Sequence, residues 1–198
     1  SKKKSDPSQD GVEAALRLAG KIPWDEISLA DIAAEAKIPE DDFRALFPTK
    51  LSLVEAYGRQ VDERVKTRGK SISMDENMKD RLFEVIMIRF DILGVHKDAV
   101  ASIIRATLRG NPKTIAAGAS ALRRAMAQLL DLCGEPSGGL CRQFKLKALG
   151  LIYLYVLRVW LRDDTPDTGK TMAALDKALT RAETIINSLP TSTLHRAQ

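Results

Sequence analysis

Cysteine, histidine and long apolar runs are scarce in this sequence, and each scarcity removes a class of function. The two cysteines, Cys133 and Cys141, stand eight apart without paired neighbours. That suits neither a disulfide scaffold nor a zinc site, and it predicts a reduced, cytoplasmic setting. His96 and His195 are distant in sequence, with no carboxylate or cysteine at ligand spacing, so no metal site is expected. The greasiest stretch, Ala148 to Leu157, is closed off by Lys147 and Arg158 and is too short to span a bilayer. The opening "SKKKSDPSQD" has no apolar region of the kind an export signal needs. No nucleophile elbow or dinucleotide glycine fingerprint is present. "TGKT" at 168–171 imitates a phosphate loop, but Asp164 stands where that motif needs its first glycine. No catalytic residue, cofactor or enzymatic activity is therefore expected.

Glycine and proline are modest at 12 and 8, alternating β-branched sequence is rare, and Ala, Leu, Lys, Arg and Glu are abundant. This composition predicts an all-α protein. The 44% hydrophobic content is enough to build a core. The formal net charge of +5 invites an anionic partner, so its location matters. Residues 1–70 hold 13 basic and 13 acidic side chains, which leaves 18 of the 31 basic and 13 of the 26 acidic residues to 71–198. The N-terminal third is neutral, and the global charge gives its binding of nucleic acid no support.

Helical punctuation is clearest near the N-terminus. Val12, Ala15, Leu16 and Ala19 share one face of a helix stopped by Gly20, and Trp24 and Ile27 are left to close the core beneath it. Ser28 and Asp31 form a capping-box pattern ahead of the apolar face Leu29, Ile32, Ala33 and Ala36. "KIP" turns the chain, Pro39 suits the first position of a third helix, and Phe43, Leu46 and Phe47 are expected to point inward. The outward face then carries Glu40, Asp41, Arg44 and Ala45. Pro48 ends that helix, and Thr49 can cap a fourth one. The order is that of a helix-turn-helix.

"ISLADIAAEA" followed by "F-x-x-L-F-P-T-K-x-x-L" at Phe43, Leu46, Phe47, Pro48, Thr49, Lys50 and Leu53 resembles the N-terminal domain of the TetR family of transcriptional regulators. Lys37 stands where that family usually has a turn glycine, and Arg44 where an aromatic is usual. The resemblance implies a TetR-like fold in which residues 10–58 read double-stranded DNA through Ser28, Lys37, Glu40, Asp41, Arg44, Thr49 and Lys50. Acidic residues in a first turn favour the helix start by roughly 0.3–1 kcal/mol each. They oppose a phosphate backbone, where affinity comes from cations. Lys2, Lys3 and Lys4 could supply positive charge from an arm.

Longer helical patterns fill the rest. Inward-facing aromatics and methionines usually mean core, but the resemblance implies a body hollowed into an effector pocket, which Met87, Phe90, Ile103, Met126, Tyr155 and Trp160 would line for a hydrophobic molecule, with Arg89 or Arg105 as polar anchors. Tyr153, Met172, Leu175, Leu179 and Ile186 would pair a homodimer. Segments are expected at 1–9 (disordered basic arm), 10–58 (DNA-binding domain), 59–74 (connecting helix and linker), 75–189 (effector-binding and dimerisation domain) and 190–198 (disordered tail). The implied function is ligand-responsive regulation, as a repressor whose operator affinity a hydrophobic molecule lowers. "RLFEVIMIRFDIL" and "YVLRVWLRDDTPDTGKTMAALDKALTRAE" also resemble the lipid-binding proteins of coenzyme-Q biosynthesis, which implies a rival: a lipid or quinone-intermediate carrier that does not bind DNA.

Overall fold

A computed structural model describes residues 6–135 and 139–188. Every regular element among them is helical. The α-helices are α1 (Pro7–Ala19), α2 (Leu29–Ala36), α3 (Glu40–Leu46), α4 (Lys50–Arg68), α5 (Met78–Gly94), α6 (Lys97–Arg109), α7 (Pro112–Leu132), α8 (Gly139–Trp160) and α9 (Gly169–Ser188). The basic triplet Lys2, Lys3 and Lys4, and the segment 190–198, lie outside the described residues. Residues 7–9, expected in the disordered arm, belong to α1, which begins at Pro7 because the Asp6 carboxylate accepts the Ser8 N–H at 3.0 Å and proline fills a first-turn position that needs no donor.

The chain divides into two compact units, one comprising residues up to Val61 with Leu93–Ala121, the other Asp62–Ile92 with residues from Leu122 on. Residues 93–121, expected in the effector-binding part, thus group with the N-terminal helices.

In the first unit α1 packs against α2 and α6, and α2 against α3. Val12, Leu16, Ile32, Phe43, Phe47 and Leu53 are buried together with Trp24, Tyr57 and Ile103. The rings of Phe43 and Phe47 lie 5.3 Å apart, and a Cβ added at Gly11 would meet them at 2.9 and 2.8 Å. That close approach is the reason a glycine sits inside α1. Leu46 departs from expectation: it is 46% exposed, because the seven-residue α3 turns only Phe43 and the following Phe47 into the core. The Trp24 N–H donates to Ser102 Oγ at 2.8 Å, which ties a short 3-10 turn (Trp24–Glu26) to α6. His96 stands at the N-cap position of α6, with its ring edge-on to Tyr57 and Nε2 3.6 Å from Glu13.

In the second unit Phe90 stacks on Tyr153 and on Trp160, with centroids 5.3 and 5.4 Å apart. Ile86, Met126, Leu129, Val156 and Leu175 complete this core. The Arg89 guanidinium is buried there, donating to Asp62 at 2.6 Å and to Tyr153 Oη at 3.3 Å. Such a pair keeps a buried charge satisfied.

Candidate functional site

The α2–turn–α3 segment is built from local hydrogen bonds. Ser28 Oγ accepts the Asp31 N–H at 3.1 Å, and Asp31 Oδ2 accepts the Ser28 N–H at 2.8 Å, completing the capping box. The Ser28 hydroxyl, which also donates to Asp31 Oδ2 at 2.6 Å, and then the Ser28 N–H hold the Asp31 carboxyl below its ordinary pKa. At the other end of α2, Lys37 adopts φ 58°, ψ 37°, and its N–H and that of Ile38 donate to Ala34 O and Ala33 O at 3.1 and 3.0 Å. This is a Schellman stop, whose left-handed position glycine normally fills because other residues bear a steric cost of roughly 1 kcal/mol or more there. Pro39 is one place earlier than expected, serving as N-cap to α3 with ψ 139°.

The outward side of α3 is as the sequence predicts: Glu40, Asp41, Arg44 and Ala45 are all exposed, and Asp42 is exposed with them. Arg44 is held on its own helix, with Nη2 and Nε 2.7 and 2.8 Å from Glu40 Oε1. Thr49 Oγ1 accepts the Ser52 N–H at 3.1 Å and caps α4.

Lys50 has a different role from the one expected of it. Its ammonium donates to the carbonyls of Trp24 and Ile27, the latter at 2.7 Å, and sits 4.7 Å above the Trp24 ring. Burial pulls its pKa below the ordinary value, with Asp25 opposing. Lys50 therefore ties α4 to the 3-10 turn, with two of its three N–H donors directed at protein carbonyls. Nothing in the sequence marks this use, since the carbonyls it needs are 26 and 23 residues away.

In the second unit the expected pocket residues separate. Phe90, Met126 and Trp160 are fully buried in the aromatic core, Met87 is half-buried, and Tyr155 is 52% exposed. Ile103 belongs to the first unit. None of them lines the cavity that this unit does contain, because stacking fills the space around the aromatic rings. The opening of about 290 Å³ is lined instead by Met78, Leu82, Leu130, Leu149, Ile152 and Leu179, with Ala148 and Ala182, from α5, α7, α8 and α9. Lys79, Glu135, Lys145 and Glu183 are its charged members. Arg89 belongs to the core ion pair, and Arg105 is exposed on α6 of the first unit.

The expected dimerisation set also needs correction. Tyr153, Leu175 and Leu179 are buried within their own chain, and Met172 is half-buried. The side chain of Ile186 lies outside the described residues. The apolar side chains that α8 does turn outward are Phe144, Leu151, Leu154 and Tyr155.

"TGKT" closes as a helix cap. The Thr171 N–H and Oγ–H both donate to Asp163 Oδ2, at 2.8 and 2.6 Å, the Gly169 N–H donates to Thr165 Oγ1, and Lys170 pairs with Asp164 at 2.5 Å. Burial works against the Asp163 charge, but its bonds from Thr165 and Thr171 hold the carboxyl well below the usual carboxylate range. Donors already committed in this way cannot cradle a phosphate. No group of three metal-binding side chains occurs among the described residues, and no helix among them is long and apolar enough to cross a membrane.

This helix-turn-helix followed by a longer helical part is the fold of TetR transcriptional regulators. Solved structures that share it include a TetR regulator from Nitrosomonas europaea, at 24% identity and TM-score 0.76 over 90% of this chain and 99% of that one. A TetR regulator from a Rhodococcus species aligns at 19% identity and TM-score 0.68, over 88% and 93% of the two chains. FadR from Thermus thermophilus, a TetR-family repressor crystallised with lauroyl-CoA, aligns at 16% identity and TM-score 0.61, over 87% and 91%. No protein-family model and no curated protein matches the sequence.

Proposed function

We propose that this protein is a ligand-responsive, DNA-binding transcriptional regulator acting as a homodimer. The observation that carries the reading is the α2–turn–α3 geometry: a capped helix, a Schellman stop and a second helix whose outward residues are all in solvent. Those outward residues are candidates for base and phosphate contact, with Arg44 the leading cation and Lys37 beside it. Glu40 and Asp41 could accept from cytosine amino groups. The outward apolar side chains of α8 support pairing with a second copy. The cavity among α5, α7, α8 and α9 supports an apolar effector, as does the acyl ligand of the Thermus relative. Effector binding would lower operator affinity by favouring a conformation that binds DNA less well. On this reading the chain is not an enzyme.

A second reading is favoured by one specific observation. Three exposed carboxylates open α3, Arg44 is occupied by Glu40, and Lys50 is withdrawn into the protein. A lipid-binding accessory protein that retains the fold without DNA affinity has no need of a cationic head. Selecting genomic fragments with the purified full chain separates the two. A regulator enriches palindromic fragments, Arg44→Ala weakens their retention, and Glu40→Gln, which frees Arg44 from a pair worth a few tenths of a kcal/mol, strengthens it. Enrichment of no sequence sinks the regulator reading, and a quinone-like lipid extracted from the protein would favour the other.

A further inference from the structure

The charges at the cavity differ from what an acyl carboxylate would require. Two lysines line it, and each is already neutralised: Lys145 Nζ lies 2.5 Å from Glu135 Oε1, and Lys79 Nζ lies 2.8 Å from Asp176 Oδ1. Glu183 lines the same opening and adds to the negative field at Lys79. These five groups comprise two cations and three anions. Arg142, near Glu135 in the fold, brings no surplus, because Asp131 holds its Nη2 at 2.6 Å. An incoming carboxylate would share a lysine already paired with Glu135 or Asp176, would enter a set of charges that is net negative, and would meet Glu183 as a like charge. An incoming ammonium meets Glu183 as an opposite charge and leaves both pairs intact. The apolar walls favour burial of a hydrocarbon body, and Glu183 at the exposed rim sets the preferred sign of its charge.

We infer that the cavity among α5, α7, α8 and α9 is a binding site for a small lipophilic monocation, an alkyl or aryl amine in its protonated form. The volume of about 290 Å³ is at the small end for ligand pockets and suits a body of moderate length. This inference rests on the reading of this part of the chain as effector-binding, and it replaces a generic hydrophobic effector with one of stated charge. Glu183 is the counter-ion, and Ala182 beside it on α9 faces the space the hydrocarbon fills.

The test is a matched series of octylamine, octanol and octanoate, added at neutral pH to the purified full chain. Binding is followed by calorimetric titration and by the shift in thermal midpoint. Octylammonium binds tightest, octanol next and octanoate weakest, with about a tenfold gap between the two charged probes, the size expected of one partly exposed charge contact. Ala182→Phe, which fills the cavity from its rim, abolishes octylammonium binding. Glu183→Gln, a near-isosteric change on an exposed position, brings octylammonium down to the octanol level while the protein stays folded. Octanoate binding as tightly as octylammonium, indifference to both substitutions, or no binding by any probe overturns the proposal. Retention of enriched DNA, measured in parallel, separates the failures. Octylammonium binding by a chain that retains no DNA sinks the regulator reading alone. DNA retention by a chain that binds none of the probes sinks the cavity assignment alone.

Discussion

The two compact units use their side chains in opposite ways. In the first, residues chosen for their polarity do local stereochemical work: Ser28 and Asp31 close a capping box, Thr49 caps α4, and Lys50 joins two elements through carbonyls. In the second, residues chosen for their apolarity fill space, and the opening is left where they are absent. Phe90, Tyr153 and Trp160 stack into a solid core, while the cavity is walled mainly by aliphatic side chains. The difference teaches that a motif position and a large apolar position carry the same ambiguity. Each can serve the fold or a ligand, and only partners resolved in space decide which.

The contrast can be tested by removing one feature from each side. The largest effect belongs to the second unit. Phe90→Ala removes a ring stacked on two others and is expected to cost about 3–5 kcal/mol of stability, read from urea unfolding. If the ring instead lined a ligand space, the loss would be far smaller and would show chiefly in ligand binding. In the first unit, Lys50→Met leaves the Trp24 and Ile27 carbonyls without their donor, and about 1–3 kcal/mol of stability is lost. Unchanged unfolding alongside weakened DNA retention would return Lys50 to the phosphate-contacting role. The smallest effect is a gain. Lys37→Gly relieves the left-handed backbone at φ 58° but adds freedom to the unfolded chain. A net stabilisation of about 1 kcal/mol or less is expected in the same denaturation assay.

Local chemistry was largely legible in the sequence. The capping box, the turn after Ala36, the inward Phe43 and Phe47 and the exposed acidic side of α3 follow from spacings of three or four residues, and the structure reproduces them. The Glu40–Arg44 pair is another such case, one helical turn in length. What escaped depends on separations the pattern cannot measure. The family resemblance of "FPTK" implies a DNA contact for Lys50, yet its acceptors lie on a turn more than 20 residues earlier. Leu175 and Leu179 repeat with helical spacing whether they face a second copy or their own core, and they face the core. The cavity was invisible for the same reason. Its walls, including Ile152 and Leu179, are ordinary aliphatic residues on four helices, brought together only by packing.

The pair between Arg44 and Glu40 bears on ionic strength. Affinity for duplex DNA falls with salt in proportion to the phosphates neutralised, with a log–log slope of roughly −0.9 for each. On the proposed reading, a head whose lysine at the start of α4 is turned inward, and whose arginine is shared with a carboxylate one turn away, would draw its phosphate contacts from few cations, Lys37 among them. Under that proposal an operator would be held mainly by contacts to bases, and its binding would survive salt concentrations that strip a more cationic head from the same duplex. Added salt would also loosen the Arg44–Glu40 pair itself, releasing the arginine for DNA as competing counterions accumulate. The acidic turn would then trade general adhesion to DNA for discrimination between sites.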